Sequence, residues 1–254
     1  MDIAIYGIGG KMGRTLLNMA PTCEDVRVVC GVDLFADPSE FDLPVYKSIH
    51  DSSEHIDCII DFSVHDAIFD ILPFAIHHGI ACVLATTGHN EHELQAIEKA
   101  AEKIPTFKTG NMSIGINTLS KLVELAAGLL DTADIEIVEM HHNQKVDAPS
   151  GTALMLASAA EKARGKLERV TGRSGLVGKR SGREIGIHAV RGGSVVGKHS
   201  VMFMQSNEVI TLTHEAESKA VFASGALDAA KFITGKEPGI YDMNDLLKAK
   251  QLTI

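Results

Sequence analysis

The sequence predicts an α/β protein in which a doubly wound parallel sheet is followed by an α+β domain with a mixed sheet. Two observations predict this fold class. In the first 110 residues, short apolar runs alternate with longer amphipathic stretches, the pattern of parallel β-α-β units. Later in the chain, apolar runs are separated only by short turns, as in antiparallel or mixed sheets.

The first half of the chain supplies the predicted parallel sheet. Continuous apolar runs are typical of strands that are buried on both faces, and the stretches between them have helical periodicity. The predicted strands are Ile3–Tyr6, Val26–Val32, Ile56–Ile60 and Ile80–Ala85, and the predicted helices are Met12–Ala20, Ala67–His78 and Glu91–Lys103.

The second half begins near Asn111 with a helix whose apolar residues recur every three or four positions from Leu119 to Leu130. We therefore expect two domains, residues 1–112 and 113–218, with residues 219–254 joining one of them. The remaining predicted strands are Ile135–Met140, Ile185–Val190, Ser200–Met204 and Val209–Thr213, and the remaining helices are Ser150–Arg164 and Lys219–Ile233.

Composition restricts the possible partners. The formal net charge is −9, aromatic residues make up 5% and there is no Trp, so neither nucleic acid nor a membrane surface is an expected partner. The most apolar stretch, Leu122–Leu130, contains Glu124 and is far shorter than the roughly 20 residues of a membrane span. The first residues resemble no export signal, and the four cysteines form no closely spaced pair, so we expect a reduced, cytoplasmic protein.

A glycine-rich turn follows the first predicted strand and opens the first predicted helix. Its residues Gly7, Gly10 and Gly13 fit the pattern G-x-x-G-x-x-G, and position 12 is Met. Glycines allow a tight turn and close backbone approach, so N–H groups at the helix N-terminus can hold a pyrophosphate. The turn by itself leaves a purely structural role open.

Asp33, at the end of the second predicted strand, favours the nucleotide interpretation. A carboxylate at this point can accept hydrogen bonds from both hydroxyls of an adenosine ribose. Leu34 stands where a basic residue often binds a 2′-phosphate, although Lys11 and Arg14 lie near. We therefore predict a Rossmann-like site that accepts NADH or NADPH and favours NADH.

The densest polar segment of the chain is Glu139–Ala153, which leaves a strand and enters a helix. Ser150 is a candidate N-cap, and the N–H groups of Gly151 and Thr152 would then face a carboxylate or phosphate. Lys145 adds positive charge, and histidine exchanges protons near neutral pH. The segment predicts chemistry on a small acid, and a solvated loop is the alternative.

Two further patterns bear on ligands. Adjacent histidines leaving a strand point to opposite faces and no Cys or third His stands near them, so no metal site is predicted. Residues Arg169–Lys198 contain seven Lys or Arg, one Glu and eight Gly. This stretch is either a solvated flexible loop or a local positive patch that steers an anionic substrate.

The segment Glu139–Thr152 closely resembles the E-x-H-H-x-x-K-x-D-A-P-S-G-T signature of the 4-hydroxy-tetrahydrodipicolinate reductase family. Further blocks resemble the same family along the whole chain, with Ala85 standing where Gly is usual and Lys219 where some members carry Arg. They are Gly7–Gly13, Asp61–Ser63, Ala85–Gly88, Asn111–Asn117, Arg191–Gly193, Val196–His199, Leu212–His214 and Pro238–Met243.

The resemblance implies NAD(P)H-dependent reduction of 4-hydroxy-tetrahydrodipicolinate, a small dicarboxylate, to tetrahydrodipicolinate in the diaminopimelate route of lysine biosynthesis. It implies a homotetramer built through the sheet of the second domain, with the C-terminal helices, residues 219–254, returning to the dinucleotide-binding domain. It implies His141 as proton donor, Lys145 as its cationic partner, and His142, Gly151 and Thr152 as holders of a substrate carboxylate.

The resemblance also implies the cofactor contacts. Asp33 would bind the ribose. The pyrophosphate would lie on Gly7, Ile8, Gly9, Gly10, Lys11 and Met12, and the nicotinamide between Ala85, Thr86 and Thr87 on one side and Thr109, Gly110, Asn111 and Met112 on the other.

Two other classes of function remain as alternatives. A different two-domain dehydrogenase, acting on an amino or aldehyde acid, would have no need of paired histidines. A nucleotide-sensing regulator would need a DNA-binding element, and the sequence has no basic helix-turn-helix candidate.

Overall fold

The computed structural model describes residues 1–251. The chain divides into two compact units, Met1–Ile114 together with the chain from Lys219 onward, and Gly115–Ser218. The described strands are β1 (Asp2–Tyr6), β2 (Arg27–Val32), β3 (Val45–Tyr46), β4 (Cys58–Asp61), β5 (Ala81–Leu84), β6 (Pro105–Lys108), β7 (Asp134–His141), β8 (Glu168–Thr171), β9 (Glu184–Arg191), β10 (Gly197–Met204), β11 (Val209–Ala216) and β12 (Gly239–Tyr241). The described α-helices are α1 (Lys11–Met19), α2 (Ile68–His78), α3 (Glu91–Ala101), α4 (Ile114–Leu129), α5 (Gly151–Arg164), α6 (Ala220–Ile233) and α7 (Met243–Gln251).

The first unit contains a seven-stranded sheet in the order β12-β6-β5-β4-β1-β2-β3, and every strand pair is parallel. The predicted doubly wound sheet is therefore confirmed. The strand order reverses between β1 and β4, and in open parallel sheets a ligand crevice forms beyond the carboxyl ends of the strands at such a point. The glycine-rich turn after β1 lies at this crevice.

Both faces of this sheet are buried, as the continuous apolar runs predict. Ile3 and Ile5 of β1 pack into a core with α1 and α6, whereas Ala4 and Tyr6 pack into a second core with α2 and α3. Residues after Lys219 therefore contribute a helix to the core of the first unit. Cys30, Cys58 and Cys82 are buried free thiols in these cores.

The second unit contains a mixed five-stranded sheet in the order β11-β10-β7-β9-β8. The pairs β10–β11 and β10–β7 are antiparallel, and β7–β9 and β8–β9 are parallel. The mixed sheet is confirmed, but the turn at residues 191–194 does not join neighbouring strands. Strands β9 and β10 lie on opposite sides of β7, so this turn crosses the end of β7 and passes over His141.

Several elements were not predicted because their sequences lack an apolar run. Strand β3 has only two residues, β6 begins with Pro105 and ends with Lys108, and β8 is mostly exposed. Strand β12 and helix α7 follow Pro238 and owe their places to packing on β6 and on the first core. Among residues 1–251, no helix combines the length and the apolar character that a membrane crossing requires.

Candidate active site

The glycine-rich turn of the first unit is shaped by close backbone approach. Gly7 has φ +80°, and a Cβ atom on it would lie 2.9 Å from the Cα atom of Ser63. A Cβ atom on Gly13 would lie 2.2 Å from the carbonyl oxygen of Gly7, well inside van der Waals contact. Glycine is therefore required at both positions, and the start of α1 packs directly on the turn.

The same turn presents unbonded N–H groups at the start of α1. No side chain caps this helix within the described residues, and α1 begins at Lys11, so the N–H groups of Lys11 and Met12 have no intrahelical acceptor. The preceding N–H groups are already bonded within the protein, and they belong to Gly7, Ile8, Gly9 and Gly10.

Asp33 directly follows β2 beside this turn and lines a cleft of about 520 Å³ together with Gly7, Gly10 and Leu34. Its Oδ2 atom accepts a hydrogen bond from the Gly9 N–H at 2.9 Å. The N–H groups of the two residues that follow Leu34 donate to Oδ1. The carboxylate is thus fixed at the edge of the cleft.

Two basic side chains near Asp33, those of Arg14 and Lys47, already have partners within the protein. The Arg14 guanidinium forms an ion pair with Glu40 and donates to the Gly9 carbonyl at 3.1 Å. The ammonium of Lys47 donates to the carbonyl oxygens of Leu34 and Ala36 at 2.8 and 3.0 Å. Arg14 is therefore less available for a 2′-phosphate than its place in the sequence suggests.

The turns after β4 and β5 meet near the glycine-rich turn. A second cleft of about 390 Å³ is lined by Ala85, Thr86 and Thr87 and shares Phe62–Val64 with the cleft at Asp33. The structure therefore brings Gly7, Asp33 and Thr86 to adjoining clefts. Sequence reasoning did not assign Phe62–Val64, although their place directly after a buried parallel strand could have indicated them.

A buried carboxylate supports the turn after β4. Asp61 is fully buried and accepts hydrogen bonds from the N–H and the hydroxyl of Ser63. Burial raises the pKa of Asp61, and the hydrogen bonds from Ser63 oppose that shift. The turn after β6 is held separately, since Asn111 Oδ1 accepts from the Ser113 N–H at 2.9 Å. Thr109, Gly110, Asn111 and Met112 line neither of the two clefts.

In the second unit, His141 at the end of β7 is held by Glu139. The Nδ1 atom of His141 lies 2.6 Å from Glu139 Oε2. The Arg191 guanidinium donates to both oxygens of Glu139 at 2.8 Å, and the Ser150 N–H donates to Oε1 at 3.0 Å. Burial alone would raise the pKa of Glu139, but the hydrogen bonds from Arg191, His141 and Ser150 hold that pKa below its usual value.

Sequence reasoning assigned no role to Glu139 or Arg191. A strand places residues two apart on the same side, so a Glu two positions before a His on β7 could have predicted their contact. Arg191 lies 52 residues from Glu139 in the sequence and reaches it because β9 pairs with β7 in parallel, with Arg191 opposite His141. No local pattern contains that contact.

The start of α5 is built as predicted. Ser150 is the N-cap, and its Oγ atom accepts from the Ala153 N–H at 3.1 Å. A Cβ atom on Gly151 would find open space around it. Because Ser150 caps one N–H group and the remaining first-turn groups lie at the positive end of the helix dipole, this end suits a carboxylate.

Lys145 and His142 lie in the loop between β7 and α5. The Lys145 ammonium is 2.7 Å from Asp147 Oδ1, and this hydrogen bond lowers the pKa of Asp147. The Nδ1 atom of His142 is buried and has no hydrogen-bond partner within residues 1–251. A buried nitrogen with no partner in the described residues suits a ligand position.

The basic stretch Arg169–Lys198 combines an exposed loop, residues 172–183, with strand residues on either side, and most of its cations are paired. It contains most of β8 and all of β9. Arg173 and Arg180 share the buried carboxylate of Glu136. Burial alone would raise the pKa of Glu136, but hydrogen bonds from Arg173, His188 and Arg180 outweigh burial and lower that pKa to about 2. Most of the other cations in this stretch also contact acidic side chains of the same unit, through the pairs Arg169–Glu161, Arg191–Glu139 and Lys198–Glu215. Across the described residues, no group of acidic, His and Cys side chains could hold a metal ion.

The fold and these two sets of residues define a class of protein. A doubly wound sheet with a glycine-rich turn at its ligand crevice, followed in the chain by a unit carrying a histidine, a lysine and a helix N-terminus, is the plan of a two-domain nicotinamide-nucleotide oxidoreductase. Solved structures with similar folds include a probable dehydrogenase from Thermotoga maritima, with a TM-score of 0.61, 13% identity and coverage of 98% of this chain and 93% of that one.

The chain belongs to the dihydrodipicolinate reductase family. The family model described as "Dihydrodipicolinate reductase, N-terminus" matches residues 1–112, and the model described as "Dihydrodipicolinate reductase, C-terminus" matches residues 115–247. The chain is thus an NAD(P)H-dependent oxidoreductase of the 4-hydroxy-tetrahydrodipicolinate step in diaminopimelate and lysine biosynthesis, as the sequence predicts.

Two curated relatives and one solved structure illustrate the similarity. The 4-hydroxy-tetrahydrodipicolinate reductase of Caldanaerobacter subterraneus subsp. tengcongensis is 49% identical, over 97% of this chain and 98% of its own length. The enzyme of the same name from Clostridium tetani is 44% identical, over 97% of each chain. A dipicolinate-bound dihydrodipicolinate reductase from Paenisporosarcina sp. TG-14 has a TM-score of 0.81 at 24% identity and covers 96% of this chain and 98% of its own; at this identity the likeness bears on the fold.

Proposed function

We propose that His141 donates the proton of the reduction and that Lys145 is its cationic partner. The observation that carries this proposal is the setting of the His141 ring. Glu139 binds Nδ1, and a Cβ atom on Gly197 would lie 3.1 Å from Nε2, so the glycine avoids crowding beside Nε2 in a side chain that is 11% exposed. A histidine held at one nitrogen, with the other left uncrowded by a side chain at position 197, suits proton transfer to a substrate.

The substrate carboxylate is assigned to the start of α5. The N–H groups of Gly151 and Thr152 belong to the first turn, and His142 supplies a buried nitrogen without a partner within residues 1–251. Lys145, held beside Asp147, adds positive charge. Together these groups suit a small dicarboxylate, the class of molecule named in the Paenisporosarcina structure.

The cofactor is assigned to the first unit, and the residues there fit a dinucleotide. The uncapped start of α1 at Lys11 and Met12 suits the pyrophosphate. At Gly7 and Gly13 the backbone of the turn packs so closely that no side chain fits. Asp33 is placed to accept from the ribose hydroxyls. When bound, a reduced nicotinamide supplies hydride, and the turns at Ala85, Thr86 and Thr87 and at Thr109, Gly110, Asn111 and Met112 hold its ring.

NADH is proposed as the favoured cofactor, with NADPH also accepted. The Asp33 carboxylate repels a 2′-phosphate, and Leu34 beside it is 63% exposed and carries no charge to offset that repulsion. Because Arg14 is paired with Glu40, it offers little compensation. Lys11 is the remaining exposed cation of the turn, and an exposed pair is worth only about 0–1 kcal/mol.

We also propose that the protein is a homotetramer in the cytoplasm. One face of the second unit's sheet carries Met202, Met204, Thr211 and Val209, and Val209 is 56% exposed. The partly exposed, largely apolar face of the antiparallel β10–β11 pair suits contact with further copies of the chain. Sedimentation of the wild type and of Met202→Arg tests this assembly, since a charge on that face should lower the oligomeric state.

The residue roles are tested by following NADH oxidation with freshly generated product of the preceding synthase reaction. Wild type, His141→Ala and Lys145→Ala are compared, with NADH affinity measured separately by fluorescence. The proposal expects unchanged NADH affinity and a large loss of turnover in both variants. Near-normal turnover in either variant would remove that residue from the mechanism.

A further inference from the structure

We propose that Glu139 and Arg191 are positioning residues that hold His141 with Nε2 as its proton-delivering atom and set the pH range in which it keeps that proton. This inference rests on the proposed role of His141 and adds two residues to it. Neither Glu139 nor Arg191 reaches the substrate in this scheme. Both act through the imidazole.

The His141 ring has a fixed orientation. Glu139 is 0% exposed and has three sets of hydrogen-bond partners, so its carboxylate cannot turn away from His141 without leaving Arg191 or Ser150 unpaired. A carboxylate at Nδ1 keeps the proton on that nitrogen in the neutral ring. The second, labile proton is then the one on Nε2, the atom that a side chain at position 197 would crowd.

Two opposite charges are balanced beside the His141 ring. Glu139 stabilises the protonated imidazole, and Arg191 moderates that effect by sharing the same carboxylate. Arg191 is itself anchored, because it also donates to the Asp147 carbonyl at 2.6 Å. The protonation of His141 is therefore controlled by two opposite charges at fixed distances.

The other titratable groups around the ring differ in what they contribute. His199 of β10 contacts the His141 ring edge-on at a centroid distance of 5.1 Å, but burial lowers its pKa to about 4, so it is neutral at the working pH. His214 of β11 also has a lowered pKa through burial. In the following loop, Lys145 and Asp147 form a pair of opposite charges.

Replacing either charge should move the protonation of His141 in opposite directions. Glu139→Gln keeps the shape and removes the negative charge, so the protonated imidazole loses its stabilising partner. Arg191→Met removes the positive charge and leaves the carboxylate, so the protonated imidazole should become more stable. A purely structural role for these residues would produce no such opposite shifts.

The measurement is the NMR titration of the His141 ring together with the pH dependence of kcat. In a donor mechanism, kcat falls as the pH rises and the donor loses its proton, and this fall should occur at lower pH in Glu139→Gln and at higher pH in Arg191→Met. The kcat of Glu139→Gln at neutral pH should drop at least about tenfold, while the KM for NADH stays unchanged. Nitrogen shifts in the wild type should show the neutral ring protonated at Nδ1.

The chain offers a matched control in Glu136→Gln. Glu136 lies on the same strand, is also buried, and is also held by arginines and a histidine, namely Arg173, Arg180 and His188. Its replacement should leave the His141 titration unchanged, and the oligomeric state is measured for every variant. An equal shift in Glu136→Gln would overturn the inference.

One further variant separates loss of charge from loss of packing at position 191. Arg191→Lys keeps the charge and should leave the titration close to that of the wild type, whereas a purely steric role of Arg191 would make it behave like Arg191→Met. An unshifted His141 titration in Glu139→Gln, or shifts of the same sign in both charge variants, would overturn the inference. If the ring titration shifts but kcat does not follow it, the inference stands and the proposed donor role of His141 fails.

Discussion

The His199 Nε2 atom lies 3.0 Å from the Ser150 hydroxyl, and both side chains are buried. The contact joins β10 to the N-cap of α5. Because the Ser150 Oγ atom already accepts from the Ala153 N–H, its own proton is free to be donated to the ring. Donation from the Ser150 hydroxyl to Nε2 suits the neutral imidazole that burial favours at position 199.

Acidification should destabilise the protein through His199. Burial lowers its pKa in the folded state from 6.5 to about 4, so the contribution of the neutral ring is complete above pH 6.5 and is lost as the pH falls towards 4. This shift corresponds to about 3 kcal/mol. Urea unfolding of the wild type should show this loss, and His199→Gln should show much less pH dependence. His77→Gln, at an exposed histidine, should behave as the wild type does.

Removal of the proposed donor or its partner should affect turnover more than folding. His141→Ala and Lys145→Ala should lower kcat by about 10²–10⁴-fold, because each deletes a group that acts on the proton in transit. Thermal unfolding and NADH binding should stay close to those of the wild type. His142→Ala should instead raise the KM for the substrate more than it lowers kcat, and the reverse split would exchange the roles of the two histidines.

Loss of one hydroxyl at the start of α5 should weaken substrate binding. Thr152→Val keeps the shape of the side chain and removes a donor, which for a hydrogen bond to a charged group is worth about 1–3 kcal/mol. The KM for the substrate should rise accordingly while the KM for NADH does not change. Thr171→Val, an exposed position on β8, is the control. An unchanged substrate KM in Thr152→Val would contradict the carboxylate assignment.

A guanidinium at position 34 should shift cofactor preference. Leu34 is 63% exposed at the cleft beside Asp33, so Leu34→Arg places a cation where a 2′-phosphate would lie. The ratio of kcat/KM for NADH over NADPH should fall in this variant at matched ionic strength. Leu176→Arg adds the same charge at an exposed site in the second unit and should leave the ratio unchanged. A wild type that prefers NADPH would contradict the proposed role of Asp33 in favouring NADH.

A methyl group at position 13 should damage the cofactor site. The Cβ atom of Gly13→Ala would lie 2.2 Å from the Gly7 carbonyl oxygen, so the turn must shift, at a cost of about 1–3 kcal/mol. NADH affinity and folding stability should both fall. Gly128→Ala, inside α4, meets only Ala163 at 3.7 Å and should stabilise the protein slightly. Equal behaviour of the two variants would show that the turn tolerates a side chain.

Local sequence patterns predicted much of the fold and the glycine-rich turn. The runs Ile3–Tyr6 and Ile80–Ala85 are apolar without interruption because both faces of the parallel sheet are covered, and the sequence records that burial directly. Ser150 was identifiable as an N-cap because capping depends on residues three positions apart. These features were determined by neighbours in the sequence.

Tertiary structure alone decided the contacts that join distant segments. Arg191 reaches Glu139 only because β9 pairs in parallel with β7, and His199 reaches Ser150 only because β10 lies on the other side of β7. The pairing of Arg14 with Glu40 likewise reduces a charge that the sequence offers as free. Strand order is set by packing of whole faces rather than by any local pattern, so the partners of a buried charge become known only when the chain is folded.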